Sequence, residues 1–263
     1  MQNTSLTVVG VGIKVISHIT VEAKAYIEQS DKVLYLVNTP VIKEWIKKYS
    51  KNSESLDELY QKYPLRLHCY RAITEYVLEE TRKGQHICMV IYGHPTIFAQ
   101  SGVDAVIQAK KEGIDARILP GISAGDCLFA DLMIDPGRYG CQSFEATDLL
   151  IHHRQWDPTS YLLIWQVGII GVLGRATDDF DNSRGAQLLQ DRLLKHYNAD
   201  HKVTLYEAAQ YPQFKPKIVE FELSKLVDAP FSRICTLFVP PARKATCDME
   251  MLELLGVALK DLK

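Results

Sequence analysis

Apolar residues in this chain fall into short β-branched runs, separated by segments with helical spacing. Ser5-Leu6-Thr7-Val8-Val9 predicts a strand, and Gly10-Val11-Gly12 a turn after it. Thr20 is placed to cap a helix running through Ala23 and Ile27 towards Ser30. Lys32-Val33-Leu34-Tyr35-Leu36-Val37 predicts the next strand, ended by Asn38-Thr39-Pro40. Val41 to Tyr49 reads as a short amphipathic helix and Lys51 to Leu59 as a polar loop. A helix follows from about Arg66 to Arg82, with Gly84 as its cap.

The next stretch is the most informative. Ile87-Cys88-Met89-Val90-Ile91 predicts a strand and Tyr92-Gly93-His94-Pro95 a turn. Val103 to Lys111 is helix-like and ends at Gly113. A second strand centres on Ala116-Arg117-Ile118-Leu119, and Leu119-Pro120-Gly121-Ile122-Ser123-Ala124 turns the chain again. This is a βαβ unit. Ligands of open α/β sheets bind where loops leave the carboxyl ends of strands, so two such loops predict one small-molecule site.

Ala124 to Leu132 is helix-like and apolar, and Asp135-Pro136-Gly137 is the best candidate boundary. The expectation is an N-terminal α/β domain over 1–135 and a C-terminal one over 136–263. Strand-like runs recur at Tyr161 to Trp165, Lys202 to Tyr206 and Ser232 to Val239, with a helix around Gln187 to Lys195. The second half is therefore also α/β, with more antiparallel pairing. Gly174 to Arg184 is the most loop-like stretch, and Met251-Leu252-Glu253-Leu254-Leu255 predicts a short final helix.

Composition narrows the class. The chain has 263 residues, 47% of them hydrophobic, and a net charge of -2. That describes a globular protein and excludes a strongly basic nucleic-acid binder. No apolar run reaches membrane-spanning length. Met1-Gln2-Asn3-Thr4-Ser5 has no basic n-region, so no signal peptide is expected. The six cysteines are scattered without a CxxC pair, which fits reduced thiols in a cytoplasmic protein. Adjacent His152 and His153 point apart on a strand or a helix, so no metal site is expected.

Taken singly, the polar motifs have plain readings. Gly10-Val11-Gly12 lacks the third glycine of a dinucleotide fingerprint. Phe144-Glu145-Ala146-Thr147-Asp148 reads equally well as a capped turn. Tyr60, Tyr63, Tyr70 and Tyr92 lie at intervals around Arg66. Arg66 and Tyr70 are four apart and share a helix face, while Pro64 leaves Tyr60 and Tyr63 on the approach. Residue by residue, packed rings with wet hydroxyls account for them.

Together these motifs resemble the tetrapyrrole methylase superfamily, the class III S-adenosylmethionine-dependent methyltransferases. The resemblance rests on the Gly-x-Gly turn, Ser30-Asp31-Lys32-Val33-Leu34-Tyr35, Tyr92-Gly93-His94-Pro95 and Leu119 to Ala124. It covers nearly the whole chain. Porphyrin methylases carry Gly-Pro-Gly-Asp after the first strand, where this chain has Gly12-Ile13-Lys14-Val15. They carry Gly-Asp-Pro where it has Gly93-His94-Pro95. The Tyr-Gly-His-Pro form is instead similar to the borosin peptide-backbone N-methyltransferases. So are Phe129-Ala130-Asp131-Leu132, Glu145 to Asp148 and Gln166-Val167-Gly168-Ile169.

The resemblance implies two α/β domains with S-adenosylmethionine in the cleft between them. For that cofactor it points to Tyr92, His94, Ile97, Ser123, Ala124, Gln166, Tyr206, Cys235 and Thr236. His94 also reads as a residue capping its own turn, and Cys235 as core. In borosin enzymes an arginine and several tyrosines surround the substrate amide. Arg66, Tyr70 and Tyr92 fall at matching places, and Tyr63 matches less closely. A peptide nitrogen shares its lone pair with the carbonyl and must lose its proton to react. Tyr70 is the expected base, helped by the Arg66 charge, with Tyr63 or Tyr92 orienting the amide. Fungal borosin precursors carry their substrate as a C-terminal tail, whereas this sequence stops at Lys263. The expectation is a separate precursor peptide as partner and, by resemblance, a homodimer. Two other readings stand beside it. One is a tetrapyrrole or other small-molecule methyltransferase of the same fold; the other is a non-catalytic module that binds S-adenosylmethionine or a peptide.

Overall fold

The structure, a computed structural model, describes residues 4–174 and 180–262. Residues 1–3 of the expected leaderless start, 175–179 of the expected loop Gly174 to Arg184, and Lys263 lie outside the described residues. The chain divides into two compact units. The first is Met1–Ile134 with Gly171–Phe180 and Tyr206–Ile218; the second is Asp135–Ile170, Asp181–Leu205 and Val219–Lys263.

The first unit opens with β1 (Ser5–Gly10), α1 (Val21–Gln29), β2 (Lys32–Leu36) and α2 (Pro40–Tyr49). It continues with β3 (Ser53–Ser55), α3 (Asp57–Gln61) and α4 (Arg66–Arg82). Then come β4 (His86–Ile91), α5 (Gln100–Lys111), β5 (Asp115–Ile118) and α6 (Ala124–Asp131). Its sheet has the order β3-β2-β4-β1-β5, and the strands run parallel. Strand alternation divides the core between the faces. Leu6, Val8, Ile87 and Met89 pack with Ile73, Val77 and Val106 of α4 and α5. Val9, Cys88 and Val90 pack with Ala23, Ile27, Ile42 and Ile46 of α1 and α2. Burial on both faces is why these strands read as continuous apolar runs.

Local chemistry sets the boundaries. The Thr20 hydroxyl accepts from the Ala23 amide at 3.0 Å and starts α1. Thr39 caps α2, whose first residue is Pro40. Gly84, at φ +86°, follows the end of α4. The polar loop expected over Lys51 to Leu59 instead holds β3 and α3. Strand β3 is a sheet edge with the polar sequence Ser-Glu-Ser, so it carries no apolar signal.

At the amino end of this sheet, Lys32 Nζ lies 2.6 Å from Glu54 and 3.0 Å from the buried Glu80. The Tyr76 hydroxyl donates to Glu54 at 2.5 Å, and Lys83 also pairs with Glu80. Burial works against the Lys32 charge, but the hydrogen bonds it donates to the Glu54 and Glu80 carboxylates outweigh it and raise the pKa.

The second unit holds β6 (Cys141–Glu145), α7 (Ala146–Ile151), β7 (Tyr161–Trp165) and α8 (Ser183–Leu193). Strand β8 (Lys202–Glu207) and β9 (Lys217–Glu222) begin and end respectively in this unit, and a 3-10 helix (Leu223–Asp228) follows. Strand β10 (Thr236–Val239) and α9 (Met249–Leu255) complete it. The sheet order is β6-β7-β10-β8-β9, with β6 parallel and β10 antiparallel to β7. Leu162, Ile164, Leu237 and Val239 pack on Leu149, Leu189 and Leu193 of α7 and α8. The strand expected over Ser232 to Val239 is shorter, because Cys235 and Ser232 form a turn before β10. Among the described residues no helix is long and apolar enough to cross a membrane.

Candidate functional site

The strand order of the first sheet reverses between β1 and β4. The chain after β1 crosses to β2 on one side, and the chain after β4 crosses to β5 on the other. A crevice forms at the carboxyl ends of such a pair, and this is where open α/β sheets bind ligands. Here it is framed by backbone. Gly12 and Gly93 exchange hydrogen bonds of 3.2 and 3.1 Å. A Cβ on Gly10 would lie 2.2 Å from the Gly93 oxygen, and one on Gly121 3.1 Å from it. The loops after β1, β4 and β5 thus meet at one point that leaves no room for side chains. Gly12 and Gly93 also take φ of +72° and +74°, where glycine carries no steric penalty.

Apart from Tyr206 of the later strand Lys202–Glu207, the expected cofactor residues of this unit lie on those loops or directly after them. Tyr92 follows β4 with its amide on the Leu36 carbonyl at 3.1 Å. Burial first, and then Cys127, push its phenol up to about 12, against a hydrogen bond with Asn38. His94 Nδ1 accepts from the Thr96 amide at 3.2 Å, so His94 does cap its own turn. Ile97 closes that turn on the His94 carbonyl and is exposed. Ser123 starts α6 in a capping box: its hydroxyl accepts from the Asp126 amide at 3.1 Å and donates to the Asp126 carboxylate at 2.7 Å. Ala124 is the first residue of that helix. Tyr206 is buried and donates to Asp131 at 2.6 Å, and burial raises its pKa.

Gln166, Cys235 and Thr236 belong to the second unit, and there they come together. Gln166 directly follows β7 and is held at φ +57°, a strained position for a residue with a side chain. Leu237 pairs with Ile164, which sets Thr236 and Cys235 beside the same strand end. The Cys235 thiol donates to the Ser232 carbonyl at 2.9 Å, and a Cβ on Gly168 would strike that oxygen. Cys235 and Thr236 are both buried. Hydroxyls, an amide and loop backbone suit the adenosine and amino-acid groups of S-adenosylmethionine. Among the described residues no cluster suits a metal ion.

The expected catalytic residues sit at the start of α4. Arg66 is its first residue; its amide donates to the Leu173 carbonyl at 3.1 Å and its guanidinium donates to the Val172 carbonyl. Leu65 and Gly174 form an antiparallel bridge beside it, and a Cβ on Gly174 would meet the Pro64 oxygen. Tyr70 lies one turn on. Its ring stacks on Tyr60 of α3 with centroids 6.2 Å apart. Burial pushes the Tyr70 phenol up to about 12; Tyr60 adds to the rise, and the Arg66 charge opposes both. The lowering expected from Arg66 is present but is outweighed. Tyr63 precedes the helix, edge-on to His68 at 6.2 Å, and its carbonyl accepts from the Cys69 thiol. So Arg66, Tyr70 and Tyr60 are grouped, while Tyr92 has Asn38 and Cys127 as neighbours. The Val172 and Leu173 carbonyls, which hold Arg66 at the start of α4, carried no readable sequence signal.

A parallel sheet with a glycine-framed switch point, joined to a mixed five-stranded sheet, is the architecture of a methylase class. Residues 5–226 match the tetrapyrrole (corrin/porphyrin) methylases, and the chain belongs to that family. The fold is also similar to uroporphyrin-III-C-methyltransferase from Thermus thermophilus. That likeness has a TM-score of 0.65 at 17% identity, covering 91% of this chain and 93% of the other.

Within the family, the chain is similar to proteins that join a methyltransferase to a peptide precursor. It is 40% identical to the methyltransferase/ribosomally synthesized cyclic peptide gymnopeptides precursor of Gymnopus fusipes, over 99% of this chain and 63% of that protein. It is 39% identical to the methyltransferase/ribosomally synthesized type I borosin cyclic peptide precursor of Gymnopilus junonius, over 96% and 60%. The chain therefore spans about three-fifths of the length of these relatives.

Proposed function

We propose that this protein is an S-adenosylmethionine-dependent methyltransferase that methylates backbone amide nitrogens of a ribosomally made precursor peptide, supplied as a separate chain. The observation that carries the reading is the tyrosine and arginine group at the start of α4. It occurs in a chain whose relatives are named for both a methyltransferase and a peptide precursor. The missing Gly-Asp signatures of porphyrin methylases weigh against a tetrapyrrole substrate.

S-adenosylmethionine, when bound, supplies a methyl group on a positively charged sulfur. Tyr92, His94, Ile97, Ser123 and Ala124 are proposed to hold it on the loops of the first unit, and Tyr206 to brace α6 through Asp131. Gln166, Cys235 and Thr236 are proposed for the same donor. Tyr70 takes the proton from the peptide nitrogen. Its raised pKa has two consequences. At neutral pH the phenolate is scarce, yet it is a stronger base than free tyrosinate. Arg66 favours the anion, and Tyr63 or Tyr92 donates to the oxygen of the developing imidate. Alignment of nitrogen and methyl supplies the rest of the rate enhancement.

Intact mass spectrometry of a short protein encoded beside this one, co-expressed with it, tests the reading. Mass gains in methylene steps, mapped to backbone nitrogens by fragmentation, are the expected result. Binding of S-adenosylmethionine without any gain would move the substrate to a small molecule. Absence of binding would leave only a non-enzymatic module.

A further inference from the structure

The loop between β1 and α1 carries a histidine that none of the foregoing chemistry uses. His18 Nδ1 accepts from two backbone amides of its own loop, Ile13 at 3.3 Å and Lys14 at 3.1 Å. Two N–H groups converge only on a lone pair, so Nδ1 carries no proton and the neutral ring holds its proton on Nε2. The fit is close: a Cβ on Gly12 would lie 2.2 Å from the His18 Cβ. The same Gly12 exchanges both hydrogen bonds with Gly93, next to Tyr92 and His94. The ring is thus the inner support of a loop whose outer side meets the Tyr92–Pro95 turn.

We propose that His18 is a positioning residue: through its unprotonated Nδ1 it sets the β1 loop, and through the Gly12–Gly93 bridge the Tyr92–Pro95 turn, in the shape that binds the methyl donor. A proton on Nδ1 removes the acceptor from two backbone donors at once and releases the loop. The inference rests on the reading of these loops as the donor site. The charged groups facing His18 are Lys14 on its own loop and Asp131 on α6. Burial first, and then the Lys14 charge, lower the His18 pKa below its ordinary 6.5, while Asp131 draws it back up. The neutral ring therefore prevails at neutral pH, and the loop opens as pH falls through the lowered pKa. Asp131 is itself held by the Tyr206 hydroxyl, so the counter-charge stays in place.

The test is calorimetric titration of the full chain with S-adenosylhomocysteine, alongside imidazole nitrogen NMR. Affinity of the unmodified protein is expected to fall about tenfold as pH drops through the His18 pKa read from the nitrogen titration, with far-UV dichroism unchanged. His18→Phe keeps the ring bulk but has no acceptor, so it binds about tenfold more weakly than the unmodified protein at neutral pH and shows no acid limb. His18→Asn places Oδ1 where Nδ1 stood, recovers most of that loss and removes the acid limb. An acid limb of equal size in His18→Asn overturns the proposal, as does a nitrogen spectrum with the proton on Nδ1 at pH 7. If the unmodified protein binds no donor at any pH, the donor-site reading fails, and the NMR result still decides whether His18 clamps the loop.

Discussion

The two ends of the first sheet are built from different materials. At the amino end, side chains do the joining: Lys32 bridges Glu54 and Glu80, with Tyr76 and Lys83 completing the group. At the carboxyl end, backbone does it: Gly10, Gly12, Gly93 and Gly121 bring three loops into direct contact. The amino end holds these charges in fixed pairs. The carboxyl end satisfies its own geometry with main chain, and the residues proposed for chemistry, Tyr92, Ser123 and, at the start of α4, Arg66 and Tyr70, lie towards it. Helix α4 runs back towards β4, so its first turn lies towards that same end. On the proposed reading, stability and function are divided along the strand direction.

Changes at the carboxyl end should reach rate, and changes at the amino end stability alone. The largest effect is expected from Tyr70→Phe, which should lower methyl transfer about 100- to 10,000-fold while donor affinity stays within about threefold. Single-turnover kinetics with calorimetry would show it, and unaltered transfer would remove Tyr70 as base. With the phenol near 12, transfer by the unmodified enzyme should climb with pH through the neutral and mildly alkaline range, because the active form is the deprotonated one. A rate that is flat with pH would mean that proton removal does not limit transfer.

Next in size is Gly10→Ala, whose Cβ would strike the Gly93 oxygen. It should cost about 3 kcal/mol, read from urea unfolding, and abolish donor binding as well. A variant that binds normally would mean the loops have slack. Glu80→Gln should cost about 1 to 2 kcal/mol by weakening two ion pairs, with turnover unchanged. A loss of turnover without loss of stability would break the division between the two ends. Ser123→Ala is the mildest, at about 1 kcal/mol in urea unfolding for the lost cap of α6, with a weaker donor affinity by calorimetry.

Much of the backbone-built end was readable in advance. Gly10-Val11-Gly12, Tyr92-Gly93-His94-Pro95 and Leu119-Pro120-Gly121 announce themselves, because only glycine and proline serve such turns. The covered parallel strands were legible for a related reason: both faces are apolar, so the run is unbroken. Edges were not. Strand β3 is Ser-Glu-Ser, and β9 carries Lys217, Glu220 and Glu222, so neither shows a clean alternation. The side-chain roles proposed above were suggested only by family resemblance. The carbonyl that meets the Arg66 guanidinium belongs to Val172, more than a hundred residues away, and spacing says nothing about it. The net direction of the Tyr70 shift also escaped, since Arg66 is visible in sequence and burial is not. His18 escaped because a single histidine in an apolar loop has no local pattern to distinguish it.

The meeting of Gly10, Gly93 and Gly121 also has a genetic consequence. These residues are far apart in the chain, yet a side chain on Gly10 or Gly121 would press on the same carbonyl oxygen of Gly93. Once one intrusion has pushed the loops apart, the second meets less resistance. The double variant Gly10→Ala with Gly121→Ala should therefore be less damaged than the sum of the singles, as residues sharing one contact are expected to be. In a deep mutational scan the two positions would behave as a single locus, and a compensating change found for one would tend to rescue the other.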